Sequence, residues 1–191
     1  MNSLIYLPGF NSGPQSEKSI QLKQEFPQLI VPAYDTWVPS NGFRQLDTLI
    51  APLLSHGPVL IGSSLGGFWA YQFASKYGLR CVLLNPCMTP EVSLKYAVGK
   101  VENFYTHETG CLTLENLLEY PNYRFTPHPA FNPLTHCTVL HEKGDETIPY
   151  QESVANFTGK ARLVLLEGGH HRFAQLDVAI KEIKAMCENR T

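Results

Sequence analysis

Short, uninterrupted apolar runs recur along the chain, each stopped by glycine, proline or a polar turn residue. They are Leu4-Ile5-Tyr6-Leu7, Leu29-Ile30-Val31, Pro58 to Ile61, Cys81-Val82-Leu83-Leu84, Thr138 to His141 and Ala161 to Leu166. None shows the polar–apolar alternation of a half-exposed sheet, so they read as strands buried on both faces. Between them the spacing changes to three and four. A helix is expected from Pro14 to about Phe26, partly burying Ile20, Leu22 and Phe26. A second presents Phe43, Leu46, Leu49, Ile50, Leu53 and Leu54 on one face, with Pro52 kinking its end. A third carries Phe68, Trp69 and Phe73 to a Gly78 cap. Pro149 to Phe157 suits a short helix, and Phe173, Leu176, Ile180, Ile183 and Cys187 mark the last one. The stretch through Trp37 and Pro39 to Asn41-Gly42 reads as loop. This alternation predicts an α/β fold: a doubly wound, mostly parallel sheet of about six strands with helices on both faces.

Residues 87–135, after the fourth strand, break the rhythm. They carry prolines at 90, 121, 127, 129 and 133 among many aromatics, including Tyr96, Phe104, Tyr105, Tyr120 and Tyr123. So long an insertion is expected to be functional, and a cap over a pocket mouth is favoured over aromatics that merely hold a loop down. No repeat or linker is visible, so residues 1–191 are read as a single domain.

A chain of 191 residues is long enough to bury about 70% of its unfolded surface. Its net charge of −2 leaves no electrostatic footprint for nucleic acid or an anionic membrane. The start, Met1-Asn2-Ser3, reads as lacking a secretory signal, and no apolar run approaches membrane-spanning length. Cys81, Cys87, Cys111, Cys137 and Cys187 are odd in number and widely spaced, so they read as buried free thiols of a cytoplasmic protein.

Candidate chemistry sits at the ends of the predicted strands, where doubly wound sheets collect reactive groups. Val59-Leu60-Ile61 runs into Gly62-Ser63-Ser64-Leu65-Gly66-Gly67, the pattern of a nucleophile elbow, with a serine on a strained strand-to-helix turn. The three fixed positions alone recur by chance in roughly 5% of chains of this length, so context must carry the motif. The first strand ends in Pro8-Gly9-Phe10-Asn11-Ser12 and the fourth in Asn85, which cannot serve as an acid. The fifth leads to Gly144-Asp145-Glu146, and the sixth ends in Glu167-Gly168-Gly169-His170-His171. Serine, acid, histidine is the chain order of a hydrolase of this architecture. The roles follow from need. A serine hydroxyl requires a base, imidazole can take and return the proton, and a carboxylate fixes the ring. Ser64 lies between the glycines at the right offset, and Asp145 is the aspartate in a turn past a late strand, with Glu146 a solvated neighbour. The base is His170 or His171, and loop geometry accepts either. Backbone N–H groups of Leu65 and Phe10 are the expected oxyanion donors. Asn11 and Ser12 either line the pocket or make the turn. His56, His107, His128, His136 and His141 read as surface or locally bonded. A metal site through His141, His170 and His171 lacks supporting ligand spacing. No cofactor is implied.

Leu7-Pro8-Gly9-Phe10-Asn11-Ser12, the elbow, Asn85-Pro86, Gly144-Asp145-Glu146 and Glu167-Gly168-Gly169-His170-His171-Arg172-Phe173 together resemble the YqiA/YcfP-type small esterases of the α/β-hydrolase superfamily. The likeness spans nearly the whole chain. In that family Gly-Gly-x-His is followed by Phe two residues on, which implies His171 as the base and Ser64, Asp145 and His171 as the triad. The family usually has His-Gly-Phe after its first strand, whereas this chain has Pro8-Gly9-Phe10; the donor needed belongs to Phe10. The resemblance implies hydrolysis of carboxylic esters, or thioesters, of small to medium acyl groups, with a small-molecule acyl ester as partner. Acyl transfer or peptide cleavage by the same triad, and a non-catalytic binding protein on a hydrolase fold, are the alternatives.

Overall fold

The computed structural model describes residues 3–188; Met1 and Asn2, on which the leader reading rests, lie outside them. Five parallel strands form the main sheet: β1 (Leu4–Leu7), β2 (Val59–Ser63), β3 (Arg80–Leu84), β6 (Cys137–Glu142) and β7 (Arg162–Leu166), in that spatial order. The apolar runs are unbroken because alternate residues enter two cores. Ile5, Leu7, Leu60, Cys81, Leu83 and Val139 face one; Tyr6, Val59, Ile61, Val82, Leu84 and Leu140 face the other. The expected second strand at residues 29–31 shrinks to a single bridge, Ile5 to Ile30, on the outer side of β1. Pro32 removes the next backbone donor, so the ladder stops there.

The helices follow from the right-handed crossover rule. From β1 the chain moves outward to Ile30, so α1 (Glu17–Glu25) covers the second face, burying Leu22. It then reverses, and α2 (Pro39–Ile50), α3 (Leu65–Tyr77) and α7 (Tyr150–Phe157) contribute to the first core. The last helix, α8 (Leu176–Glu188), returns to the second face through Ala179, Ile183 and Met186. That reversal beside β1 is the switch point where ligand crevices form, and the ends of β1 and β2 flank it.

Boundaries shift from the sequence reading for local reasons. Ser16, not Pro14, starts α1, because its side chain accepts the Ser19 N–H. Ile20 consequently stands half-exposed. α2 begins inside the expected loop, with Pro39 at its first position. Pro52 converts the end of that helix into a 3-10 turn over Ala51–His56. Phe173 precedes α8 in a turn with φ of 64°.

The insertion is structured. It contains α4 (Pro90–Ser93), the antiparallel hairpin β4 (Gly99–Glu102) and β5 (Thr109–Leu112), α5 (Leu114–Glu119) and α6 (Pro133–His136). Tyr120 is buried and stands edge-on to Phe68, with ring centroids 5.5 Å apart, and Tyr123 does the same to Trp69 at 5.2 Å. The hairpin turn bears exposed Phe104 and Tyr105. Cys111, expected to be buried, is exposed on β5, and Cys187 is half-buried. Among the described residues no helix is long and apolar enough to cross a membrane.

The elbow depends on close backbone approach. A Cβ at Gly66 would lie 1.9 Å from the Leu7 carbonyl oxygen, and one at Gly62 would lie 2.1 Å from that of Gly66. Gly66→Ala is expected to cost at least about 1–3 kcal/mol, since the neighbour is backbone and cannot swing away; urea unfolding against wild type measures it.

Candidate active site

Ser64 links β2 to α3 with φ 54° and ψ −121°, a conformation rarely adopted by a residue with a side chain. Its N–H donates to Leu84 O, while its carbonyl accepts from Gly67 and Cys87. The side chain thus leaves the sheet end, partly open to solvent. The loop after β1 faces it: a Cβ at Gly9 would lie 3.2 Å from Ser64 Cβ.

The sheet end brings the predicted acid and one of the predicted bases to this serine. His171 Nε2 lies 3.0 Å from Ser64 Oγ, and its Nδ1 lies 2.9 and 3.0 Å from the two Asp145 carboxylate oxygens. A carboxylate only accepts, so Nδ1 carries the hydrogen and Nε2 offers its lone pair to the serine hydroxyl. The ring of His170 is exposed and is not part of this set; its backbone serves the loop instead. Asp145 also accepts the Thr147 and Ile148 N–H groups at 2.8 Å. Burial pushes its carboxyl upward, but bonds from His141, His171 and the Ile148 N–H outweigh this and hold it well below the ordinary range. Glu146, expected as a solvated neighbour, is exposed but accepts the His171 N–H at 3.0 Å.

The two expected oxyanion donors lie in the segments that flank Ser64: Leu65 follows it, and Phe10 follows Gly9, at which a Cβ would lie 3.7 Å from Ser64 Oγ. The Leu65 N–H opens the first turn of α3, where the helix supplies no acceptor. Among the described residues neither it nor the Phe10 N–H is drawn into another backbone bond. Pro8 leaves the loop anchored, since its carbonyl accepts the Tyr34 hydroxyl at 2.6 Å. Asn11 makes the turn, with φ of 54°, an N–H to Thr36 Oγ1 and a side chain that accepts from Trp37 Nε1, and it also lines a cleft. Ser12 contributes backbone only, donating to Gly9 O and accepting from Asn103, and does not line that cleft. The cleft is about 600 Å³, walled by Phe10, Tyr96, Val98, Val101 and Phe104 with Lys100 and His107 also lining it.

Four polar residues that sequence reasoning passed over hold the arrangement. Asn85, φ 44° and fully buried, donates from Nδ2 to the His170 and His171 carbonyls and accepts the Glu142 N–H. Glu142, also fully buried, accepts the N–H groups of His170, Ala174 and Gln175. A Cβ at Gly169 would lie 2.0 Å from its Oε2, which explains the Gly-Gly pair ahead of the histidines. His141, expected to be at the surface or locally bonded, is buried and locally bonded at the far side of Asp145. Its Nε2 lies 2.9 Å from the Ile148 carbonyl and its Nδ1 2.7 Å from Ser153 Oγ. The carbonyl cannot donate, so Nε2–H gives and Nδ1 accepts from the hydroxyl. The fourth is Lys18, whose Nζ donates to Ser63 Oγ at 2.6 Å. Only Asn85 carried a sequence signal, as a strand end unfit to be the acid. Among the described residues no group of three His, Cys, Asp or Glu side chains is placed to hold a metal ion.

A hydroxyl held by a ring nitrogen and a ring held by a carboxylate are the parts that acyl transfer requires. Known proteins share the fold that carries them. The model of a protein family described as an uncharacterised protein family, UPF0227, matches residues 3–188. The UPF0227 protein YcfP of Salmonella gallinarum is 26% identical over 188 residues, covering 95% of this chain and 97% of the relative. YcfP of Escherichia coli O9:H4 gives the same identity and coverage. Among solved structures, Est1E from Butyrivibrio proteoclasticus superposes with TM-score 0.71 at 15% identity, covering 97% of this chain and 86% of its own. The methylesterase MES16 from Arabidopsis gives 0.66 at 13%, covering 98% and 99%. At such identity these likenesses establish the fold, which is that of the α/β-hydrolases.

Two outcomes follow from the buried carboxylates. Glu142→Gln keeps one acceptor oxygen but turns an amide NH₂ toward N–H groups, and should cost about 1.5–3 kcal/mol in urea unfolding at neutral pH. Because the Asp145 carboxyl lies lower folded than unfolded, its stabilising contribution is complete above the ordinary carboxylate value and is lost below it. The stability gap between wild type and Asp145→Asn should therefore narrow as pH falls from about 6 to about 3; thermal unfolding across that range measures it.

Proposed function

The chain belongs to the UPF0227 family, and we propose that it is a serine ester hydrolase that cleaves carboxylic esters through an acyl-enzyme formed on Ser64. The observation that carries the reading is the His171 ring bridging Ser64 Oγ at 3.0 Å and Asp145 at 2.9 Å. Ser64 Oγ attacks the ester carbonyl carbon as its proton passes to His171 Nε2. Negative charge moves to the carbonyl oxygen, where the Leu65 and Phe10 N–H groups receive it. The imidazolium is stabilised by ionised Asp145 and returns the proton to the departing alkoxide. A water, deprotonated by the same nitrogen, then attacks the acyl-Ser64 carbonyl and releases the acid.

The cleft beside Phe10 and Asn11 supports a substrate with an apolar or aromatic portion of small to medium size, because Tyr96, Val98 and Phe104 present carbon surface there. Est1E has been solved with ferulic acid bound, which makes aromatic acid esters a reasonable part of the substrate panel for this chain. The free cysteines at 81, 87, 111, 137 and 187 support a cytoplasmic setting for this activity, with a small-molecule acyl ester as substrate.

A fluorophosphonate probe is expected to label wild type and not Ser64→Ala. Asp145→Asn should lower kcat on p-nitrophenyl butyrate by about 10³–10⁴ with the fold intact, because the ring then presents the wrong tautomer. Equal labelling of wild type and Ser64→Ala would sink the proposal, and products formed with water against amine acceptors separate hydrolysis from acyl transfer.

A further inference from the structure

We propose that Lys18 is a positioning residue of this site. Its ammonium holds the Ser63 hydroxyl and supplies, from the α1 face of the sheet, positive charge that offsets the site's carboxylates and favours the oxyanion. The proposal rests on the hydrolase reading above.

Lys18 is an unusual residue to find where it is. It sits in the first turn of α1, yet it is only partly exposed, and its Nζ reaches across to Ser63, which is 4% exposed and ends β2 next to Ser64. No carboxylate pairs with Lys18 within salt-bridge distance among the described residues, although Glu142 and Asp145 both act on it electrostatically. The groups facing it come from five elements. Ser63 ends β2. Tyr6 of β1 lies beside Ser63, and burial raises its phenol far enough that it stays neutral. Glu142 ends β6 and Asp145 follows it. The Phe173 ring, ahead of α8, has its centroid 6.0 Å from Nζ. On α1 itself, Ser19 is bonded to Ser16 and Gly13, and Glu17 pairs outward with Gln21.

The charge pattern gives this placement a consequence. Resting, the site holds two buried anions, Glu142 and Asp145, beside a neutral ring. Acylation adds a third negative centre at the carbonyl oxygen and one positive charge on His171. In a poorly solvated setting, neighbouring like charges oppose one another strongly. One fixed cation on the α1 face reduces that opposition without moving during the reaction, which is how preorganised charge lowers a barrier. The bond to Ser63 also fixes the residue from which the strained Ser64 turn departs.

Burial lowers the Lys18 ammonium to about 8, even though Glu142 and Asp145 pull it upward. It is therefore charged at neutral pH and loses its proton just above. As pH rises through about 8, the charge assistance to Ser63 disappears, the site becomes more negative by one unit, and acylation should slow. An arginine at this position would keep its charge throughout.

The test measures kcat and KM on p-nitrophenyl butyrate, and the rate of fluorophosphonate labelling, from about pH 6 to 10 for wild type, Lys18→Arg and Lys18→Met. Wild type is expected to lose rate on both readouts above about pH 8. Lys18→Arg should carry its neutral-pH rate through that range. Lys18→Met should show kcat lowered about tenfold to a hundredfold, KM within about threefold, and no alkaline decline. A folded Lys18→Met with wild-type kcat and profile overturns the proposal, as does an alkaline decline retained in Lys18→Arg. Should Lys18→Met fail to fold, the wild-type and Lys18→Arg profiles still decide. Failure of Ser64 to label in wild type at any pH removes the hydrolase reading and this proposal with it. Labelling of Ser64 at a rate indifferent to pH around 8 removes this proposal alone.

Discussion

The first turn of α3 runs so close to the end of β1 that a methyl group at residue 66 would sit 1.9 Å from the Leu7 carbonyl oxygen. That approach sets the positions of Ser64 and of the loop across from it. With Gly62 and Gly66 both bare, the chain turns from strand to helix within one residue, and that residue is held at φ 54°. Strain of this kind, about 1–3 kcal/mol, persists only where the surroundings over-determine it. Here they do: the Ser64 N–H is fixed to Leu84, and its carbonyl to Gly67 and Cys87. The hydroxyl is consequently aimed by backbone on every side, and the opposite loop needs no charged side chain of its own. The loop is anchored through Pro8 instead, whose carbonyl receives the Tyr34 hydroxyl.

The second layer of the site is ionic and lies inside the sheet end. Buried carboxylates need partners, and an unpartnered one would cost more than its contacts return. Glu142 meets that need with backbone N–H groups of the segment that carries His171, whereas Asp145 meets it with the His171 ring and two N–H groups. The same bonds that satisfy the charges therefore fix the histidine loop. Satisfaction and positioning are one arrangement, and the positive charge of Lys18 on the α1 face completes its balance.

The sheet and the principal site residues were legible because their determinants are local. Strands buried on two faces show as bare apolar runs, the elbow needs glycines at fixed offsets, and reactive residues must follow strand ends. What escaped depends on neighbours distant in sequence. Glu142 and His141 read as unremarkable residues at a strand end, since nothing nearby reveals that the segment 25 or more residues later will fold onto one of them. Lys18 carried no signal in the sequence, because only the tertiary fold brings α1 to Ser63. The choice between His170 and His171 turned on a ring direction, which the loop length leaves open but the Asp145 carboxylate decides. Residues 29–31 shrank to a bridge and Pro39 began a helix inside an expected loop. In both cases a proline sets the boundary, and its effect depends on whether the chain around it is extended or turning.

The insertion shows how a small fold can keep its core fixed while leaving its cleft open to change. Tyr120 and Tyr123 pack edge-on against Phe68 and Trp69 of α3, so that half of the insertion is part of the main core. The hairpin touches the catalytic side more lightly. Phe104 donates its backbone N–H to the Asn11 carbonyl, and Asn103 reaches the Ser12 carbonyl. Backbone-to-backbone attachment is indifferent to the side chain at residue 104, so the wall of the cleft can vary without disturbing the loop that faces Ser64. Substitutions on the hairpin should then alter the cleft, and those on Tyr120 or Tyr123 should alter whether α3, and with it the elbow, stays in place. Stability and selectivity are thus separated within a single insertion by the difference between a buried ring and an exposed one.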